Sequence, residues 1–229
     1  MLSDLSLAQE YAIIASDAPL RQKIRLTRSY RQLYTVGAAI IDMVLNGQLH
    51  WNERGALELV DFSSNQNAGE AQLLQIIQAA RRPKKMKAWM TYFLNHPGKR
   101  SNIFNALIQP LLQQGQLRQE PYKVLFIFPA NRYVVSAPDK DRIIQKLRAE
   151  LLEDGPVTVQ TAVLGMLLDI SKLLKYFFSD YEEHSLKLKL EQLQAEQSSN
   201  WKAIIQIKKA IEEMEATGAT IGAISAAGA

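Results

Sequence analysis

Ala39-Ile40-Ile41-Asp42-Met43-Val44-Leu45-Asn46-Gly47-Gln48-Leu49 is the stretch on which the reading of this chain turns. Residues Leu33, Gly37, Ile40, Ile41 and Val44 recur at the spacing of one helix face, which predicts a helix from Ser29 to Leu45. Gly47 then stands where a left-handed residue closes a helix. Beyond it, Gln48-Leu49-His50-Trp51 and Ala56-Leu57-Glu58-Leu59-Val60 flank Asn52-Glu53-Arg54-Gly55, a hairpin pattern. The same plan returns later, as a helix from Ser101 to Gln114, then Gly115, then Gln116-Leu117-Arg118 and Lys123-Val124-Leu125-Phe126-Ile127-Phe128.

Working outward, Ser6 and Gln9 have capping-box spacing, so a helix is expected from there to about Ser16. Residues 17 to 28 are polar and basic, contain Pro19, and read as a loop. A helix from Gly69 to Ala80 ends at Arg81-Arg82-Pro83-Lys84-Lys85, and the next, Lys84 to Leu94, turns Met86, Trp89, Met90 and Phe93 inward. Pro138 to Leu152 is helical with Asp139 and Asp141 at its positive end. The segment from Thr158 to Phe178 is apolar around most of its circumference and is expected at the centre of the bundle. Helices from Tyr181 to Glu196 and Asn200 to Ala216 complete the set. The expected fold is mainly α, a single-domain helical bundle (1–217) around a central apolar helix with one or two β-hairpins, followed by a Gly/Ala tail (218–229).

The 229 residues are 47% hydrophobic, enough to bury one substantial core. With no cysteine, disulfides and thiolate metal sites are excluded, which suits a reducing compartment. The first residues lack the basic and apolar pattern of a secretory leader. The longest apolar stretch, Val157 to Phe178, carries Asp169, Lys172 and Lys175, and such charges are costly in lipid, so a buried core helix is expected there.

Net charge is +4, unevenly spread. No acid occurs between Ala18 and Ile41, where Arg21, Lys23, Arg25, Arg28 and Arg31 lie. None occurs between Ala71 and Gln119 either, where Arg81, Arg82, Lys84, Lys85, Lys87, Lys99 and Arg100 lie. Such segments attract phosphate-bearing partners or form a solvated face.

No catalytic constellation, Gly-rich phosphate loop or metal-ligand spacing is evident, so no catalytic residue, metal or cofactor is expected. Asp42 and Asp169, on apolar helices, are the carboxylates to check as acid or base; the competing reading is a hydrogen-bonded core polar group. Tyr122 to Val135 alternates so that one face of a hairpin is apolar, either exposed to a partner or membrane, or buried on both sides.

Leu5-Ser6-Leu7-Ala8-Gln9-Glu10, the Ala39 to Leu49 run, Leu112-Gln113-Gln114-Gly115-Gln116-Leu117, and Phe128-Pro129-Ala130-Asn131-Arg132-Tyr133 together resemble the landmarks of the Golgi phosphoprotein 3 family, in order and separation. The likeness continues through Thr161, Leu164 and Leu167 to about Trp201. The resemblance implies a compact helical core, an apolar β-hairpin, no enzymatic activity, and peripheral binding to phosphatidylinositol 4-phosphate on a cytoplasmic membrane face. Eukaryotic members also grip the cytosolic tails of glycosyltransferases. The family's eukaryotic lipid pocket uses a Trp, an Arg and two further Arg three residues apart; the matching positions here hold Thr27, Val36, Ser101 and Phe104. Neighbouring Arg28, Arg31, Lys99 and Arg100 are therefore the candidate lipid- or anion-binding residues. Val124, Leu125 and Ile127 keep the hairpin's apolar character, for membrane insertion or self-association.

Two other readings compete. Helix, glycine and two-stranded wing is also the plan of winged helix-turn-helix proteins, although few cations or amides on the two helices suit base edges. Alternatively the family fold serves a different ligand.

Overall fold

The computed structural model describes residues 5–18, 24–60, 67–124 and 128–195, and residues 209, 212 and 213; side chains are described outside 24–30, 122–124, 128–131 and 194–195. Mainly helical with two antiparallel hairpins, the described chain has the expected fold class.

Helix α1 (Leu7–Asp17) opens with the expected capping box: Ser6 Oγ accepts from the Gln9 N–H at 3.3 Å, and Gln9 Oε1 accepts from the Ser6 N–H at 3.2 Å. Its residues Leu7, Ala8 and Glu10 through Ser16 are all buried, so protein surrounds it. Helix α2 (Ile24–Leu45) packs along it and starts earlier than expected, taking in part of the predicted loop.

The two glycine-ended units are built alike. After α2, the Gly47 N–H donates to Val44 O and the Gln48 N–H to Met43 O, at 3.1 and 2.8 Å. After α5 (Pro97–Gln113), the Gly115 N–H donates to Leu112 O and the Gln116 N–H to Leu111 O, at 3.3 and 2.9 Å. Both glycines are left-handed, φ +73° and +74°, as this closure requires. Each following glutamine is buried, and its carbonyl accepts from the residue after the returning strand, Val60 or Ser136, at 2.9 Å. The closure thus fixes where each hairpin leaves its helix.

Strands β1 (Leu49–Trp51) and β2 (Leu57–Leu59) pair as expected around the Asn52 turn, with Leu49 opposite Leu59. Strands β3 (Leu117–Val124) and β4 (Phe128–Val135) differ from expectation: the ladder runs from Leu117 opposite Val135 to Val124 opposite Phe128. The break expected after Arg118 is absent. Pro121 sits inside β3 opposite Asn131, which a two-stranded ribbon tolerates because both its strands are edges.

Helices α3 (Ala68–Gln78) and α4 (Met86–Asn95) lie between the two units, α4 burying Met86, Trp89, Met90 and Phe93 as predicted. The connector between them is held to the first hairpin, where the Leu57 N–H donates to Lys84 O at 3.0 Å. Helix α5 begins at Pro97 rather than Ser101, so Lys99 and Arg100 occupy its first turn.

Helix α6 (Ala137–Leu151), α7 (Val159–Ile170) and α8 (Asp180–Ala195) form the other side of the core. α7 is buried without interruption from Thr161 to Leu168, the enclosed helix that the sequence predicts, but it is shorter. Ser171 Oγ donates to Leu167 O at 2.6 Å, Lys172 turns left-handed at φ +58°, and a 3₁₀ turn (Leu174–Tyr176) follows. Neither Gly nor Pro marks that stop. Of the helix expected from Asn200 to Ala216, Lys209, Glu212 and Glu213 are helical; the remainder and the 218–229 tail lie outside the described residues.

A Cβ at Gly47 or Gly115 would meet nothing within 4 Å, so replacing either tests backbone geometry alone. Gly47→Ala and Gly115→Ala should each lower unfolding free energy by about 1 kcal/mol in urea titrations, with Asn recovering part of it.

Candidate functional site

Asp42, the first carboxylate to check, lies on the buried face of α2 and points at the start of α1. Its Oδ1 accepts from the Leu7 N–H at 3.2 Å and its Oδ2 from the Ala8 N–H at 2.9 Å. Burial raises its pKa to about 6, the two backbone N–H groups oppose the rise, and the charge of Glu70 adds to it. With both oxygens on the backbone, Asp42 is a helix cap supplied from another helix. Asp169 is partly exposed and pairs with Lys187 at 3.4 Å. Among the described residues no group of three His, Asp or Glu side chains could hold a metal.

The fold brings the two predicted cationic segments side by side. Gln32 of α2 joins them, its Nε2 donating to Ser101 Oγ and its Oε1 accepting from Arg100 Nε, both at 3.4 Å. Arg100 is 5% exposed and its Nη1 donates to the carbonyls of Phe93 and Leu94 at 3.1 and 3.3 Å, in the last turn of α4. Burial lowers its pKa. Arg31, also buried, donates from Nε to Ala15 O at 2.9 Å, in the last turn of α1. Neither helix has a basic residue of its own in that turn, so each arginine supplies from outside the cation that a helix C-terminus favours. Among the matched pocket positions, Val36 and Phe104 are buried, and Phe104 meets the Tyr133 ring edge-on at 6.0 Å between centroids. The side chains of Arg28 and Thr27 lie outside the described residues.

Lys99 is exposed and faces elsewhere. Its Nζ donates to Tyr92 Oη at 2.7 Å and lies 5.4 Å from the centre of that ring. Tyr92 and Trp89 also receive Lys84, whose Nζ is 5.3 and 5.0 Å from the two ring centres. Arg81 and Arg82, just beyond α3, line the same groove, of about 780 Å³. No carboxylate of the described residues pairs with any of these four cations. The charge of the Arg81–Lys87 run is legible in the sequence; its meeting with Lys99 around two aromatic rings is not, since it depends on how α3, α4 and α5 pack.

At the second hairpin, Val124 closes the ladder against Phe128. The side chain of Val124 and the whole of Leu125 and Ile127 lie outside the described residues. No helix among the described residues is long and apolar enough to cross a membrane.

Paired helix–glycine–hairpin units on a helical bundle, with a cationic groove between α3, α4 and the start of α5, define a mainly helical class of protein in which the landmarks of the sequence fall at the structural joints. The chain belongs to the Golgi phosphoprotein 3 (GPP34) family, whose profile matches residues 7–214. No curated protein matches it.

Because the Asp42 carboxyl holds its proton more tightly folded than unfolded, its contribution to stability is full below about pH 4 and is lost as pH rises through about 6. The stability deficit of Asp42→Asn relative to wild type, from urea titrations between those limits, should therefore shrink as pH rises. Arg100→Ala strands the Phe93 and Leu94 carbonyls, the first of them buried, and should cost about 2 kcal/mol, with Lys restoring only part because it lacks the forked donors.

Proposed function

We propose that the chain is a non-enzymatic peripheral membrane protein that docks by a cationic face onto anionic phospholipid at a cytoplasmic membrane surface. The observation that carries this reading is the gathering of Arg81, Arg82, Lys84 and Lys99 around Trp89 and Tyr92 with no carboxylate of the described residues in ion-pair reach. Family membership supports it, and the family resemblance supplies phosphatidylinositol 4-phosphate as the headgroup. In this reading Lys99 contributes charge to the face, and Arg28 is a further candidate for anion binding. Arg31 and Arg100 hold the ends of α1 and α4, and Gln32, bonded to both Ser101 and Arg100, keeps the two basic segments adjacent. The Val124, Leu125 and Ile127 tip adds an apolar contact with acyl chains or with a second protomer.

Each basic residue near an anionic surface contributes about 1 kcal/mol, so four give useful, salt-sensitive affinity. The winged-helix reading has less support, because α2 is buried at every position from Arg31 to Met43, so that stretch offers no face to lay in a groove of DNA.

Vesicle flotation tests the proposal. Anionic vesicles should retain the protein at low salt and release it at high salt, and neutral vesicles should not retain it. Arg81→Glu with Arg82→Glu, both at exposed positions, should weaken retention about tenfold or more. Equal retention on neutral and anionic vesicles, or tighter binding to duplex DNA than to either, would refute it.

A further inference from the structure

One helix end is closed by a part of the chain that the docking face does not include. The N-cap position of α4, Lys85, makes no side-chain cap hydrogen bond, and the first turn of α4 has no acid. No near neighbour in sequence can supply one, because residues 71 to 119 contain neither Asp nor Glu. The carboxylate comes instead from 126 residues away: Glu213 Oε2 accepts from the Lys87 N–H at 2.8 Å, as an N-cap side chain would. Lys209 and Glu213, four apart on one helix face, line a cleft of about 210 Å³ with Trp51, Lys85 and Met86. Glu212 is exposed and does not line that cleft.

We infer that this contact regulates docking: seated at the start of α4, the acidic segment at Glu213 holds back the basic face, and an anionic surface and the segment displace each other. Residues 52 to 54 of the first hairpin turn line both the cleft and the space beside it, and Arg82 lines that space and the cationic groove. The segment therefore sits beside the face it restrains. Lys85 and Lys87 are exposed, and Glu213 brings a carboxylate to a basic run that has none of its own. A negative surface attracts that run and repels the carboxylate. Because the bond is open to solvent, water and salt weaken it, so the surface can compete with it. The coupling is reciprocal: whatever loosens the segment strengthens docking by the same factor. This inference rests on the membrane-docking reading above and adds what restrains it.

Flotation of the full chain on phosphatidylglycerol vesicles at low salt reads the restraint. Glu213→Ala should raise retention about tenfold. Glu212→Ala removes the same charge one residue away, off the face that meets the cleft, and should gain much less. Equal gains in the two variants reduce the effect to net charge and overturn the inference. No gain in Glu213→Ala, with the wild type retained, also overturns it and leaves docking standing. The displacement itself is read by a pair of spin labels. Since the chain has no cysteine, labels at Glu53→Cys and Lys209→Cys, two exposed positions on the cleft, report a single distance. That distance should be narrow in solution and on neutral vesicles, and should broaden on phosphatidylglycerol vesicles and when Glu213→Ala is added. A distance unchanged on vesicles that retain the protein overturns the inference. Vesicles that retain neither the wild type nor Glu213→Ala end the docking reading, and the restraint falls with it.

Discussion

The carboxylate of Asp42, accepting from the first backbone N–H groups of α1, is the contact on which the arrangement of this protein depends. Helix α1 is enclosed by α2, α5, α6, α7 and β4, so water is not at hand for its unpaired ends. Helix α2 supplies both. Its Asp42 meets the N-terminal end and its Arg31 the C-terminal end, and the eleven residue steps from one to the other rise by about 16 Å, close to the length of an eleven-residue helix. The signs match the dipole at each end. Acid, base and antiparallel packing therefore fix one register between two helices that are otherwise joined by apolar contact, which alone would let them slide.

Side chains from elsewhere in the chain meet other helix ends too. Arg100 closes α4 and Glu213 Oε2 accepts from the Lys87 N–H at its other end, at 2.8 Å. Glu150 accepts from the Thr158 N–H before α7, and Arg148 reaches Phe177 O beyond it. Cations that look alike in sequence therefore fall into two groups. Arg31 and Arg100 lie within reach of a helix C-terminus and are folded into the structure. Arg81, Arg82, Lys85, Lys87 and Lys99 meet no such end and remain on the surface, with Lys84 half-buried against the aromatic rings.

This division explains what could be read in advance and what could not. The two helix–glycine–hairpin units were legible because their chemistry is local, a left-handed glycine and the hydrogen bonds within a few residues of it. The inward face of α4 was legible from periodicity, as was the acid-free character of the Arg81–Arg100 segment. The enclosure of α1 was not, for a capping box says that a helix starts and nothing about what surrounds it. The stop of α7 at Ser171 and Lys172 escaped because a serine hydroxyl and a left-handed lysine replaced the usual glycine. Two further bounds differ: α5 begins at Pro97 and not at Ser101, and β3 runs on through Pro121, which a two-stranded ribbon accommodates.

Val36 and Phe104 carry the last step. They occupy positions at which the family resemblance would put cations, and here both are core side chains, Phe104 against Tyr133 and Val36 within the wholly buried stretch of α2. A charged pocket at that junction would have to hold its cations apart from the carbonyls that Arg31 and Arg100 already engage. With apolar residues there the junction packs instead. The first turn of α5 then presents two neighbouring cations in opposite roles, Arg100 to the end of α4 and Lys99 to the ring of Tyr92. One family fold can in this way keep its helix caps while the surface able to meet an anion lies a few residues away, since the caps are fixed by the backbone and the surface is not.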